Sequence, residues 1–294
     1  MIAFMAQSKS EIRSLLDGAN TAPRHRFGQN FMIDQNLVRL VAAAGEIAAG
    51  DVVIEVGPGT GTLTEELLAS PAARVVAVEI DRDLAALLRE RHAANERFQL
   101  IEGDALSGKH ELNAELLAAV AAANVTHAPA VRLVANLPYN IASPLVIELL
   151  LAGVQTLAFT VQKEVADRLR AAAGGDAYGP LTVMAQLLAK VELLRTLPPQ
   201  AFWPAPKIDS ALVRMTRQDR LGTRASDFGR FVRQIFSTRR KTLRKAMSMA
   251  GWPAEVVLAA VGFDGQRRPE EFTPEELLRL FEAVGATGGA PGAQ

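Results

Sequence analysis

The sequence predicts an α/β fold with a mostly parallel sheet, followed by a small all-helical domain. Short apolar runs alternate with stretches in which apolar residues recur at helical spacing, and this alternation is typical of βαβ units. The runs are residues 52–56, 74–80, 98–102, 131–135 and 156–162. Apolar runs at 191–196 and 210–215 extend the predicted sheet, and from about residue 219 the pattern is helical throughout.

The helical periodicity places the elements that cover this sheet. Helices are predicted over residues 37–48, 62–68, 84–94, 144–152 and 163–173, and further helices over 228–237, 241–250, 253–260 and 273–284. We therefore divide the chain into a first domain over 1–218 and a helical domain over 219–285. The last residues, 286–294, are rich in Gly and Ala and are predicted to be a disordered tail.

Composition excludes several classes of chemistry. The chain of 294 residues contains no cysteine, which removes disulfides, thiolate metal ligands and covalent cysteine catalysis. Its four histidines are scattered without metal-ligand spacing, so we expect no metal. No apolar run approaches the ~20 residues of a membrane span, and the first residues lack the basic lead of a signal peptide. We expect a cytoplasmic protein that acts as a monomer, without contact to a membrane.

The net charge of zero conceals a basic segment. Between residues 200 and 250, twelve Lys and Arg stand against three Asp, a balance of +9, so the rest of the chain carries −9. A polyanion responds to such a local field rather than to the total charge. The candidate contacts to nucleic-acid phosphates are Lys207, Arg239, Arg240, Lys241 and Arg244. The alternative is a solvated helix face without a partner.

A glycine turn and two acids predict a nucleoside pocket. Gly57, Gly59 and Gly61 follow the first apolar run and open a helix, and glycine lets the backbone approach a ligand closely. Glu79 and Asp104 end the next two strands, where carboxylates can accept hydrogen bonds from a ribose and from an adenine amine. The glycine spacing differs from that of nicotinamide-dinucleotide folds, which disfavours a dehydrogenase.

The segment Asn136-Leu137-Pro138-Tyr139 follows the fourth predicted strand and carries the most specific chemistry. The exocyclic amine of adenine is a poor nucleophile because its lone pair is delocalised into the ring. The Asn136 side-chain oxygen and a main-chain carbonyl of Leu137 or Pro138 can accept both N–H groups, which frees the lone pair for a transfer governed by positioning. Tyr139 offers a face on which a base can stack. The alternative is an ordinary turn.

These motifs together resemble the ribosomal RNA adenine dimethyltransferase family. The resemblance rests on the Asn136 segment, the Gly57 turn and residues 27–31, 162–165, 202–211 and 236–243, and it covers about residues 10–285. It implies a Rossmann-like class I methyltransferase sheet with a small C-terminal all-helical domain, and S-adenosylmethionine as methyl donor. Two departures flank the site: Ala142-Ser143 where Ser-Thr is usual, and Ala205 within a segment where three consecutive prolines are common.

Carried onto matching positions, the resemblance implies a donor site and a substrate. The donor site would comprise Asn30, Met32, Gly57, Gly59, Glu79, Asp104, Ala105 and Asn136. Asn140-Ile141 and Lys207 favour the branch of the family that dimethylates two adjacent adenines in a hairpin loop near the 3′ end of 16S ribosomal RNA, within the immature small subunit. The alternatives are a methyltransferase of large-subunit (23S) RNA and an RNA-binding assembly or transcription factor on the same fold.

Overall fold

The structure is a computed structural model, and it describes residues 7–108, 111–125, 129–238 and 240–287. The strands are β1 (Phe31–Met32), β2 (Val52–Val56), β3 (Arg74–Glu79), β4 (Phe98–Glu102), β5 (Leu106–Gly108), β6 (Glu111–Leu112), β7 (Val131–Asn136), β8 (Thr156–Gln162), β9 (Ala189–Leu197), β10 (Phe202–Trp203) and β11 (Ser210–Arg217). The α-helices are α1 (Lys9–Gly18), α2 (Gln35–Ala44), α3 (Thr62–Ala69), α4 (Arg82–Arg91), α5 (Ala114–Val125), α6 (Ala142–Leu151), α7 (Lys163–Leu169), α8 (Pro180–Leu188), α9 (Ala225–Phe236), α10 (Leu243–Met249), α11 (Ala254–Val261) and α12 (Pro274–Ala286).

The main sheet confirms the predicted α/β class. Within the described residues it has seven strands in the order β4-β3-β2-β7-β8-β11-β9. The five strands from β4 to β8 in this order run parallel, and β11 pairs antiparallel with β8. The chain order reverses on either side of β2, so the carboxyl ends of β2 and β7 border the crevice in which sheets of this kind bind ligands.

Apolar side chains of α2 and α3 cover one face of this sheet. Leu37, Val38 and Val41 of α2 pack with Leu63 and Leu67 of α3 in a cluster that also contains residues of β2, β3, β7, β8 and β11. Fully burying one such side chain contributes about 1.5–3 kcal/mol. This packing holds the two helices, and the turns that precede them, against the carboxyl edge of the sheet.

The helices that border this edge begin in different ways. Asp34 caps α2 by accepting hydrogen bonds from the N–H groups of Asn36 and Leu37, and Asp81 caps α4 by accepting from Asp83. Helix α3 instead begins after Gly61, whose φ is 89° and which has no side chain to cap the helix. Because residue 61 has no side chain, it cannot cap the first N–H groups of α3.

The predicted domain boundary at 218/219 differs from the division that the contacts give. One compact unit runs to Ala166 and resumes over Glu192–Arg217, whereas the second comprises Asp167–Val191 and the residues from Gln218 onward. Helix α8, in Asp167–Val191, packs with α9 and α12 of the second unit. The sequence reading missed α8 because its residues are almost all apolar, and the same is true of α5, so neither shows a helical period. Of the predicted tail, α12 includes residue 286, and 288–294 lie outside the described residues.

We expect Tyr178→Phe to loosen the second unit. The buried Tyr178 hydroxyl donates a hydrogen bond of 2.8 Å to the Phe272 carbonyl and so joins the 167–191 segment to the C-terminal helices. Removing the hydroxyl leaves that carbonyl without this donor, at a cost of about 1–2 kcal/mol. Hydrogen exchange should show lower protection in residues 178–188 and 272–286 together. Loss of protection in only one of the two segments would contradict the assignment of both to one unit.

Candidate active site

A cleft of about 870 Å³, including its open mouth, lies at the carboxyl edge of the parallel strands in the first unit. Its walls come from the ends of β2, β3 and β7, from the turn after β4, and from the loop that leads into β1. All the residues of the predicted donor site line it: Asn30, Met32, Gly57, Gly59, Glu79, Asp104, Ala105 and Asn136. Five separate segments of the chain thus converge on one cavity, as the resemblance implied.

The turn between β2 and α3 forms a floor without side chains. Gly57 and Gly59 have φ angles of 73° and 62°, in the left-handed region that disfavours residues with a Cβ. A Cβ on Gly59 would lie 2.8 Å from Cε1 of Phe31, and a Cβ on Gly57 would lie 3.1 Å from Cγ of Pro138. Backbone conformation and space both require glycine here. The turn is a cradle that fits the close approach of a ligand.

Glu79 is held at the end of β3 by the main chain around it. One carboxylate oxygen accepts the N–H of Gly59 at 3.0 Å, and the other accepts the N–H of Asp81 at 2.9 Å. Each carboxylate oxygen has two acceptor positions, so each keeps one for a ligand hydroxyl. Burial raises the pKa of Glu79 to about 7, although these two hydrogen bonds act in the opposite direction.

A second buried acid, Glu55, lines the cleft and was missed by the sequence reading. It is 1% exposed, and it accepts a hydrogen bond of 2.6 Å from the hydroxyl of Thr64 on α3. Burial raises its pKa to about 8, and the charge of Glu79 adds to this rise. A signal was present in the sequence, because Glu55 is the one acid inside the apolar run of residues 52–56.

Asp104 and Ala105 form the rim of the cleft beyond β4. The exposed Asp104 accepts the N–H of Leu106 at 3.0 Å through one oxygen, which fixes the carboxylate at the mouth. Ala105 is buried, and its carbonyl accepts the N–H of Asn113 at 2.9 Å. An acceptor at the rim and an apolar wall beside it suit the amine and the face of an adenine ring.

The loop before β1 is fastened to the sheet edge beside Glu79. The Arg24 guanidinium donates to the buried carboxylate of Asp81 at 2.8 Å, and the Gln29 amide donates to the other oxygen of Asp81 at 3.0 Å. The Gln29 side chain in turn accepts the N–H of Arg24 at 2.7 Å. These contacts hold Asn30 and Met32 over the cleft. Sequence reasoning singled out neither Arg24 nor Asp81.

Asn136, the last residue of β7, has a fixed side-chain amide. Its Nδ2 donates to the carbonyl of Asn30 at 2.7 Å, and its Oδ1 accepts the hydroxyl of Thr160. A carbonyl can only accept a hydrogen bond, so the group that faces Asn30 must be the amide nitrogen. The Asn136 oxygen keeps one free acceptor position inside the cleft.

The three residues after Asn136 differ in what they present. Leu137 is buried, and Pro138 lines the cleft. Within the described chain the Pro138 carbonyl accepts a hydrogen bond of 3.2 Å from the N–H of Ile141, whereas the Leu137 carbonyl accepts none. Tyr139 lies outside the lining, and its hydroxyl is 2.7 Å from that of Ser210. Burial raises the pKa of Tyr139, so it stays a neutral hydrogen-bonding group.

The predicted phosphate contacts fall into both units. The exposed Lys207 belongs to the first, and the exposed Arg240, Lys241 and Arg244 belong to the second, whereas Arg239 lies outside the described residues. Arg244 makes an ion pair of 2.9 Å with Glu255. The described chain offers no acidic partner to Lys207, Arg240 or Lys241. Several other basic residues of the 200–250 segment are paired: Arg214 with Glu46 and Glu192, Arg220 with Glu275, Arg224 with Glu282 and Arg230 with Asp227.

Two further properties concern the described ranges of the chain as a whole. They contain no group of three or more His, Asp or Glu side chains arranged to hold a metal ion. None of the helices in those ranges has the length and apolar character that crossing a membrane requires.

Comparison with known proteins gives consistent matches. Residues 20–284 match the family described as ribosomal RNA adenine dimethylase. The chain is 42% identical over 272 residues to a ribosomal RNA small subunit methyltransferase A of Laribacter hongkongensis, covering 90% of this chain and 97% of the relative. A dimethyladenosine transferase of Plasmodium falciparum shares the fold, with a TM-score of 0.71 at 23% identity, over 88% of this chain and 98% of the other. The 23S rRNA methyltransferase ErmE is 27% identical, with a TM-score of 0.63, over 87% of this chain and all of the other.

We expect Glu55→Gln to flatten the pH dependence of stability. The pKa of Glu55 is raised by folding to about 8, so the folded state binds more protons and stability falls as pH rises from about 4.5 to about 8. Glutamine keeps an acceptor for Thr64 and does not titrate, so the variant avoids this loss of stability, which is on the order of a few kcal/mol. In thermal unfolding without ligand, the stability of the variant relative to wild type should therefore be greater at pH 8.5 than at pH 5.5.

Glu90→Gln is the matched control, because Glu90 is an exposed acid on α4. This control should follow the wild-type pH curve. Parallel curves for wild type and Glu55→Gln would contradict the raised pKa.

Proposed function

The chain belongs to the ribosomal RNA adenine dimethylase family, and on that premise we propose that it transfers methyl groups from S-adenosylmethionine to the N6 amine of adenines in small-subunit ribosomal RNA. Adenine dimethylation in ribosomal RNA is the activity that the family description names. The observation that carries the proposal is the oriented Asn136 amide, whose oxygen has a free acceptor position in the same cleft as the two adenosine-recognition acids.

The donor would occupy the cleft between the glycine turn and the rim. When bound, S-adenosylmethionine supplies a methyl group on a positively charged sulfonium. Glu79 would accept the ribose hydroxyls through its two remaining acceptor positions, and Asp104 would accept the adenine amine. Gly57, Gly59 and Ala105 would approach the donor closely, and Asn30 and Met32 would border its methionine end. The cradle at Gly57 and Gly59, which a Cβ would fill, supports this fit.

The target amine would be held from two sides. The Asn136 oxygen accepts one N–H, and the Leu137 carbonyl, which is free in the described chain, accepts the other. Both hydrogen bonds strengthen as the nitrogen becomes pyramidal and gains positive charge, so they stabilise the transition state more than the bound amine. After the transfer the cationic nitrogen releases one proton to solvent, so no strong base is needed. The Tyr139 ring, anchored at its hydroxyl by Ser210, would stack on the target base.

The proposed substrate is the hairpin loop near the 3′ end of 16S ribosomal RNA, with its two adjacent adenines, inside the immature small subunit. The relative from Laribacter hongkongensis is named for the small subunit, and its 42% identity exceeds the 27% of the large-subunit enzyme ErmE. We further propose that the protein acts in the cytoplasm as a monomer.

Two alternatives lead to different products. An enzyme for large-subunit RNA would label 23S RNA, and an RNA-binding assembly factor would bind RNA without turnover. The deciding experiment supplies labelled donor with undermethylated small subunits or with large subunits, and it analyses the nucleosides. We expect N6,N6-dimethyladenosine in 16S RNA alone. Label in 23S RNA, or none in either subunit, would overturn the proposal.

We expect Asn136→Ala and Glu79→Ala to separate methyl transfer from donor binding. The first variant loses contacts that are strongest in the transition state, so kcat should fall while the donor Kd changes little. The second loses hydrogen bonds to the ribose, so donor binding should weaken by roughly 1.5–3 kcal/mol. Single-turnover kinetics and calorimetry on both variants measure the split. A near-normal rate for Asn136→Ala would show the amine clamp to be wrong.

We expect the cations without acidic partners to contribute to RNA binding. RNA affinity should fall with salt by roughly 0.7–0.9 log units per log unit of salt for each neutralised phosphate. Arg240→Gln with Lys241→Gln should shallow this slope and leave the donor Kd unchanged. The matched control is Arg224→Gln with Arg230→Gln in the same unit, because both arginines are paired with acids. Equal slopes for the two double variants would favour a solvated surface over an RNA contact.

A further inference from the structure

We propose that Thr160 is a positioning residue that acts on the reaction through Asn136. This inference rests on the proposed function, since it concerns how the amine-accepting oxygen is held. Thr160 lies on β8 and pairs with Asn136 on β7 in the parallel ladder, so the two side chains lie beside each other. The Thr160 side chain is fully buried.

Thr160 holds the reacting segment by two separate contacts. Its hydroxyl donates to Oδ1 of Asn136 at 2.5 Å, and its main-chain carbonyl accepts the N–H of Leu137 at 3.3 Å. The carbonyl contact is made by any residue at this position. The hydroxyl contact requires Thr or Ser. The contact that depends on the identity of residue 160 is therefore the one made by its side chain.

The hydroxyl contact decides where the Asn136 oxygen points. The amide nitrogen is tied to Asn30 on one side, but a single hydrogen bond leaves the amide plane able to tilt about that contact. The second hydrogen bond, from Thr160, fixes the plane and occupies one of the two acceptor positions of the oxygen. The other acceptor position accepts no hydrogen bond within the described chain, and Asn136 lines the cleft that would receive the target amine. A misdirected acceptor forfeits much of the advantage of a positioned reaction.

A neighbouring threonine provides a matched control. Thr156 also lies on β8, is also buried, and accepts a hydrogen bond of 3.1 Å from Arg132. It is four residues from Thr160, roughly 13 Å along the strand, and it makes no contact with the cleft. Thr156→Val therefore removes a buried hydroxyl from the same strand without disturbing Asn136.

The test compares Thr160→Val, Thr160→Ser and Thr156→Val with wild type in methyl transfer to undermethylated small subunits. Thr160→Val should lower kcat roughly five- to twentyfold, the scale of one hydrogen bond, with the donor Kd within about twofold of wild type. Thr160→Ser should restore turnover because it restores the hydroxyl. Thr156→Val should lower the melting temperature and leave kcat unchanged. Should Thr160→Val fail to fold, Thr160→Ala carries the same comparison.

A double-mutant cycle with Asn136→Ala tests whether Thr160 acts through Asn136. In the Asn136→Ala background, Thr160→Val should cost no further turnover, because its target oxygen is gone. Additive losses, a Thr160→Val enzyme with the wild-type kcat, or a serine variant that is not rescued would each overturn the positioning role. These results require that wild type transfers methyl groups. An inactive wild type would contradict the proposed function itself, which keeps the two failures distinct.

Discussion

The site depends on one geometric constraint, the parallel pairing of the five strands from β4 to β8 in the sheet order. Parallel pairing brings the carboxyl ends of strands that are far apart in sequence to a single edge. Glu79 ends β3, Asn136 ends β7, and the Gly57 turn leaves β2, so each reaches the cleft at the point where its strand ends. Neighbouring strands then supply supporting groups at the same level, as Thr160 of β8 does for Asn136. Asn136 and the group that supports it therefore share one rigid frame, and a shift of one strand would displace both.

The cleft contains two buried acids whose ionised forms the ligand-free fold tolerates poorly. Glu55 and Glu79 are both almost fully enclosed, and burial raises the pKa of each toward or above neutrality. Each of these acids costs free energy when it ionises without a charged partner, and strongly shifted groups of this kind are frequent at functional sites. A positively charged ligand reverses the balance, since its field favours both ionised carboxylates. Under the proposed function, stability of the empty protein is exchanged for affinity toward the positively charged donor, as is common at functional sites.

The sequence predicted the regularly patterned elements of the structure and the polar residues that interrupt the pattern. The apolar runs identified the strands of the main sheet. The polar residues that end β3 and β7, and the one that follows β4 by two residues, were predicted to be neighbours in one pocket: Glu79, Asn136 and Asp104. Helices α5 and α8 were missed because an apolar helix without a polar face has no visible period. The sequence placed residues 167–191 in the first domain for the same reason, since only long-range packing groups α8 with the helices after residue 217. Thr160 could not be identified from the sequence, because a single threonine in a strand is ordinary. Its proposed role follows from its hydrogen bond to Asn136 on the neighbouring strand.

The interleaving of the two units affects how the chain can be made. Strand β9 begins inside the segment 167–191 and β11 follows that segment, so the main sheet cannot close until residue 217 has left the ribosome. Helix α8, with Val183 and Leu187 buried in the finished protein, is synthesised before its partners α9 and α12. During translation, at about 5–20 residues per second, this apolar helix therefore waits several seconds for the surfaces that bury it. A fragment ending at residue 217 would contain α8 without α9 and α12, the helices of the second unit against which it packs.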